Sequence, residues 1–164
     1  LINIDWSSID NIFVDMDGVL SDFDTYVCEI QKFGTKEKWN DQWDKLPERM
    51  FYDLPKVNGA DKLMEYVTSY APQILTAIPK KDKVKFSRMD KLRWMKKHYN
   101  IDPWDVHVVY RSEKQMYAVS DNLAPNILID DNETNIEEWN KKGGAGIIHT
   151  SADESILALQ KLGF

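Results

Sequence analysis

Residues 11–24 read NIFVDMDGVLSDFD. An apolar, β-branched run reaches Asp15, one residue separates it from Asp17, and Gly18 follows at once. Apolar residues without polar alternation are what a strand buried on both faces requires, so this stretch predicts a central strand of a parallel sheet. Two carboxylates where such a strand ends repel each other, and the repulsion calls for a compensating group elsewhere in the chain.

Moving outward, four more runs have strand character: 73–78, 106–111, 126–130 and 145–150. Between them the spacing predicts helices over 59–70 and 84–99, over 113–119 behind a Ser112 cap, and over 133–142, closed by Gly143-Gly144. A last helix opens on the capping box Ser151 and Glu154 and stops at Gly163. Strand and helix in alternation predict an α/β fold, a Rossmann-like three-layer sandwich whose mostly parallel five-stranded sheet is covered on both faces. Residues 22–58 break the rhythm and are rich in aromatics, among them Phe23, Trp39, Trp43 and Phe51. A connection that long has structure or function of its own. It reads as a small helical cap, punctuated by Pro47 and Pro55, inserted into a core made of residues 1–21 and 59–164.

At 164 residues, with 43% hydrophobic and 29% charged residues, the chain is large enough for one buried core. No apolar run approaches the ~18 residues of a membrane span, and the N-terminal residues lack signal-peptide features. With a single cysteine, Cys28, no internal disulfide forms, and a reducing, cytoplasmic location is expected. The net charge of −6 argues against a general nucleic-acid coat. Residues 80–97 are the exception, holding nine of the 21 lysines and arginines against two aspartates. Met89, Leu92, Met95 and Tyr99 fall at near-helical spacing there, which leaves the basic residues outside, either as a solvated face or as an attractor of anionic substrate.

The run NILIDD again carries apolar residues into two acids, Asp130 and Asp131. In an open parallel sheet ligands bind at the carboxyl ends of the strands, where the strand order reverses. If the first and fourth strands are neighbours there, Asp15, Asp17, Asp130 and Asp131 meet. Such a cluster suits a hard divalent cation such as Mg²⁺, which takes one or two carboxylates and leaves another to act as nucleophile or proton carrier. The second strand brings Thr76 and the Ala77 amide to the same edge, and the segment after the third brings Lys114 and Arg111. Together these are the hydroxyl, N–H and positive charge that a phosphate group needs.

Asp-x-Asp-Gly, then Thr, then Lys, then Asp-Asp at successive strand ends resembles the haloacid dehalogenase (HAD) superfamily of phosphotransferases. The resemblance implies Asp15 as nucleophile, Asp17 as general acid and base, and Thr76, Ala77 and Lys114 as phosphate ligands. It implies Mg²⁺ held by Asp15, the Asp17 backbone carbonyl and the Asp130–Asp131 pair, one of that pair directly. DMDGVLSDF, FYDLPKVNGA, DKLRWMKKHY and YRSEK are similar to the 5′(3′)-deoxyribonucleotidases. That similarity implies a (deoxy)nucleoside monophosphate substrate, with Phe23, Trp39 and Trp43 against the base and Arg111 nearby. The chain departs from that family at Ala77, where serine is usual, in a short cap, and in a longer step from Lys114 to Asp130.

Two other readings stay open. IDDNETNIEEWNKKGG also resembles the fourth motif of polynucleotide 3′-phosphatases, with the basic 80–97 stretch tracking a nucleic acid. A non-enzymatic receiver or a catalytically dead binding domain is the other, although a receiver places its acid pair first and its acceptor Asp alone on a later strand. Whether the protein is a monomer or a homodimer is left open.

Overall fold

A computed structural model describes residues 8–32, 43–79 and 84–164. Five parallel strands form one sheet: β1 (Ile12–Val14), β2 (Gln73–Ala77), β3 (Val106–Val109), β4 (Ile127–Asp130) and β5 (Ala145–Ile148). Their order is β3-β2-β1-β4-β5. The chain therefore builds outward from β1 to β3, then returns to β1's other side, and the order reverses between β1 and β4. The α/β three-layer architecture expected from the sequence is observed.

Burial follows the pleat. Ile12 and Val14 point to one face and Phe13 to the other, and all three are buried. The first face is covered by α1 (Ala60–Thr68), α2 (Ser87–Tyr99) and, after the last strand, a helix that packs on α1. The opposite face is covered by α3 (Glu133–Lys141) and a 3₁₀ helix, Arg111–Tyr117. The helix after β5 is α4 (Ala152–Lys161), and the Ser151 hydroxyl accepts from the Glu154 N–H at its start. On the α3 face Phe13 stands edge-on to His107, Tyr117 and Trp139, with centroids 5.7–5.8 Å apart. The Trp139 indole N–H donates to the Asn126 carbonyl at 2.9 Å, so the largest ring of this layer buries no unpaired donor. Among the described residues no helix is long and apolar enough to cross a membrane.

The chain leaves the sheet edge through a tight turn. Gly18 has φ of +82°, a left-handed conformation that favours glycine, and its N–H donates to the Ser21 carbonyl at 2.8 Å. Ser21 then bridges to Lys56, Asp22 N–H donates to Pro55 O, and Val57 N–H donates to Leu20 O, both at 2.8 Å. The outgoing and returning segments are thus bonded to each other. Between them lie a short helical turn, Phe23–Thr25, capped by the Asp22 carboxylate, a π turn over Tyr26–Ile30, a 3₁₀ turn at Trp43–Lys45 and a one-turn helix at Met50–Asp53.

Two local expectations are corrected. The helical segment after β3 begins at Arg111, not behind Ser112, and is 3₁₀ in form, because the Glu113 carboxylate accepts from the Tyr110 N–H at 2.8 Å. On α2 the basic residues are not all outside. Ser87, Asp90, Lys91, Trp94 and Met95 form the buried face, while Met89 is 38% exposed. The helix is rotated this way because two of its charges are satisfied from elsewhere: Arg49 forks onto Asp90 through contacts of 2.5–3.1 Å, and Lys91 pairs with Asp17. Lys85 lies over the Phe86 ring and Lys96 pairs with Asp102, so much of the remaining positive charge is locally engaged.

Phe13 is the shared neighbour of the rings in the α3 layer. Phe13→Ala is expected to destabilise the fold by ~3–5 kcal/mol, seen as a lower denaturant midpoint at unchanged slope in equilibrium unfolding.

Candidate active site

The end of β1 brings Asp15 to the reversal point, and the end of β4 brings Asp130 beside it. Asp15 N–H continues the ladder by donating to Ile129 O at 2.9 Å, which fixes the height of the one carboxylate relative to the other. One oxygen from each of Asp15, Asp130 and Asp131 lies within 4.8 Å of the others. Asp15 and Asp130 are buried, and Asp131 is exposed. The Asp131 carboxylate lies against Gly18, where an added Cβ would stand 2.2 Å from an oxygen, so any other residue at this positive φ would also push Asp131 from its place.

Lys114, on the 3₁₀ helix after β3, is the cation inside this cluster. Its ammonium is 2.9 Å from Asp15 Oδ1 and donates to Asp130 Oδ2 at 2.7 Å. Asp130 is held on its other sides by the Asn132 N–H, at 2.8 Å, and by the Asn135 amide, at 2.9 Å. Met16 N–H donates to Asp15 Oδ1 at 2.7 Å. Burial pushes the Asp15 carboxyl up to about 8; Lys114 opposes that rise, while Asp130 and Asp17 add to it. For Lys114, burial acts downward, but Asp15 and Asp130 together hold its pKa above the usual lysine value. One lysine therefore does not compensate the carboxylates. A second positive charge among three hard oxygen donors would, and this donor set fits Mg²⁺.

The Asp17 carboxylate takes a different direction. Ser21 Oγ donates to its Oδ1 at 2.9 Å, and the Lys91 ammonium donates to its Oδ2. Lys91 also donates to Thr76 Oγ1 at 2.8 Å. Thr76 is therefore fully buried with its hydroxyl engaged, whereas Ala77 lines the cleft. The cleft, about 470 Å³, is bounded on the sheet side by Asp15, Asp17, Lys114 and Asp131. On the other side stand Phe23, Trp43 and Phe51; Phe23 stacks on Phe51 at 6.0 Å and lies 5.7 Å from Trp43. Arg111 reaches the rim but is turned to Glu138, 3.0 Å away, and to the Asn135 amide oxygen. Trp39 lies outside the described residues.

Sequence reasoning thus located Asp15, Asp17, Ala77, Lys114, Asp131, Phe23 and Trp43 at one cleft, with Asp130 just beneath. It missed Lys91, Ser21, Asn132 and Asn135. Trp94, one turn on, marks the buried face of α2, but nothing local in the sequence reports the partners that let Lys91 share that face.

No protein-family model matches the chain, and no curated protein matches it in sequence. Solved structures do match in fold. A hydrolase from Streptococcus pneumoniae TIGR4 superimposes with a TM-score of 0.54 at 12% identity, covering 93% of this chain and 99% of that one. A HAD family hydrolase from Deinococcus radiodurans R1, with bound phosphate and sodium, gives 0.52 at 14% identity over 95% and 97%. A hydrolase from Pseudomonas syringae gives 0.50 at 14% identity over 93% and 89%. The chain has the fold of the HAD hydrolases.

The raised Asp15 sets the pH dependence of stability. A carboxyl whose folded pKa is about 8 favours folding in its protonated form; that contribution is full below the ordinary value of 3.8 and is lost as pH climbs toward 8. In chelator, the melting temperature of the wild type should fall between pH 5 and pH 8.5, and Asp15→Asn should flatten the fall. Adding Mg²⁺ at pH 8 should raise the wild-type melting temperature and leave Asp15→Asn nearly unmoved.

Proposed function

We propose that the protein is a Mg²⁺-dependent phosphomonoester hydrolase. The observation that carries the reading is the Asp15 carboxylate beside Lys114, Asp130 and Asp131, opening into a cleft walled by aromatic rings. Asp15, the Asp17 backbone carbonyl and Asp130 or Asp131 would hold Mg²⁺, which would supply positive charge to the phosphate oxygens. Lys114 adds a second positive charge, and the Ala77 N–H a donor at the cleft wall.

With that charge neutralised, the Asp15 carboxylate attacks phosphorus in line. The Asp15 O–P bond forms, the ester P–O bond breaks, and the leaving alkoxide takes the proton of Asp17. In the second step Asp17 removes a proton from water, whose oxygen attacks phosphorus. The Asp15 O–P bond then breaks and phosphate is released. Gly18 makes room for Asp131 against the turn that presents Asp15 and Asp17.

The substrate class in this reading is a (deoxy)nucleoside monophosphate. Phe23, Trp43 and Phe51 supply flat apolar surface at the far side of the cleft, and aromatic stacking on a base is worth ~1–3 kcal/mol. Asp22 and Asp24 also line the cleft. Acidic groups there disfavour a polyanionic chain running past the reacting phosphate, and Lys91 faces inward rather than along a backbone track. Both features weigh toward the monomer over a nucleic-acid end.

A screen of deoxynucleoside and ribonucleoside monophosphates, sugar phosphates and a 3′-phosphorylated oligonucleotide, with Mg²⁺ or chelator, tests the reading. Phosphate release from monomers should need Mg²⁺ and fall by about three orders of magnitude or more in Asp15→Asn. Release from the oligonucleotide alone would overturn the substrate class.

A further inference from the structure

We propose that Lys91 is a positioning residue of the reaction, an ammonium that aims the Asp17 carboxylate and ties it to the cap wall. The inference rests on the phosphatase reading. Lys91 is fully buried, on the inner face of a helix that otherwise buries Trp94 and Met95. A buried ammonium must place its three N–H donors on partners. Here the partners are Asp17 Oδ2, Thr76 Oγ1 at 2.8 Å and the face of the Phe51 ring, 4.5 Å to its centroid.

Each partner comes from a different part of the molecule. Asp17 follows β1, Thr76 lies on β2, and Phe51 belongs to the segment that walls the cleft. Ser21 Oγ holds the other Asp17 oxygen at 2.9 Å. With both oxygens bonded, the carboxylate has one orientation, and its distance from the ester oxygen is set before substrate arrives. General acid and base catalysis depends on that placement. Phe51 also stacks on Phe23, so the same ammonium registers the aromatic wall against the proton-carrying group. Removing the ammonium alone leaves the Asp17 carboxylate without its ionic partner, so a loss of stability is expected from Lys91→Met whatever its role, and only the readout of the reaction separates positioning from folding.

The test separates proton delivery from everything else through the leaving group. Cleavage of an alkyl phosphomonoester needs a proton on the departing alkoxide, while 4-nitrophenyl phosphate releases a stable phenolate. In Lys91→Met, single-turnover cleavage of the alkyl ester is expected to fall ~100-fold, within the range for a misplaced general acid. The burst of nitrophenolate from 4-nitrophenyl phosphate should fall no more than about fivefold. Asp17→Asn should show the same asymmetry, and the double variant should be no worse than Asp17→Asn alone, because the two residues act as one unit. Lys91→Gln, which keeps N–H donors, should lose less on the alkyl ester.

Equal losses on both esters, or additive losses in the double variant, overturn the proposal. So does a chain that folds with neither Met nor Gln at this position by circular dichroism, since Lys91 is then a folding residue. Absence of turnover by the wild type on either ester would instead overturn the phosphatase reading.

Discussion

The close approach of Asp15, Asp130 and Asp131 at the β1–β4 boundary is the constraint on which the rest of the site depends. Burial raises the Asp15 carboxyl, Asp130 and Asp17 raise it further, and Lys114, set among these acids, does not fully offset the rise. The remedies are arranged around that deficit. The Asn132 N–H and the Asn135 amide spread the Asp130 charge, and the Met16 N–H takes part of the Asp15 charge. What remains is a negatively charged site that a divalent cation would stabilise. Relieving the charge on Asp15 is part of what such a cation would do.

Topology turns this local crowding into a reproducible geometry. β1 sits between β2 and β4, so the segments after three different strands converge on one edge. Their heights are locked by ladder bonds: Ile12, Phe13 and Val14 pair with Ile127, Leu128 and Ile129 in register, and Asp15 follows Val14 as Asp130 follows Ile129. The apolar cost of burying charge at this edge is borne by two separate layers, one centred on Leu63, Trp94 and Leu159, the other on Phe13, Leu128 and Trp139. A carboxylate cluster in a smaller or looser protein would lack the rigid floor that keeps these distances.

How much of this was legible in the sequence depends on where each residue's partner lies. The five strands and the acids at their ends could be read because apolar runs and their terminating residues are local, and because parallel topology sends all carboxyl ends one way. Gly18 was legible for the same reason. Lys91 was not, since a lysine in a run of lysines is buried only if partners from separate segments meet it, and no local pattern reports that Asp17, Thr76 and Phe51 will do so. Asp90 escaped for the same cause, its partner Arg49 lying 41 residues away. The 3₁₀ start at Arg111 was hidden because one Glu113 side-chain contact displaced the expected Ser112 cap. Arg111 was read as substrate-facing charge, and its pairing with Glu138 could not be seen without α3 in place.

The paired crossing at Ser21–Asp22 and Pro55–Val57 has a consequence for how such a protein diversifies. Because the two crossing segments bond to each other and to the turn that presents the acids, whatever lies between them is a closed loop on a fixed stem. Lengthening or rewriting that loop changes its closure entropy only logarithmically, by ~0.6 kcal/mol for each doubling of length. The stem fixes the turn that carries Asp15 and Asp17, while Phe51 and Arg49 of the loop meet Lys91 and Asp90 on α2, so edits that spare those two contacts leave the carboxylates in place. On the proposed function, the rest of the loop can change its choice of substrate while the reacting groups stay in register, and chemistry and selectivity would then be separately heritable traits.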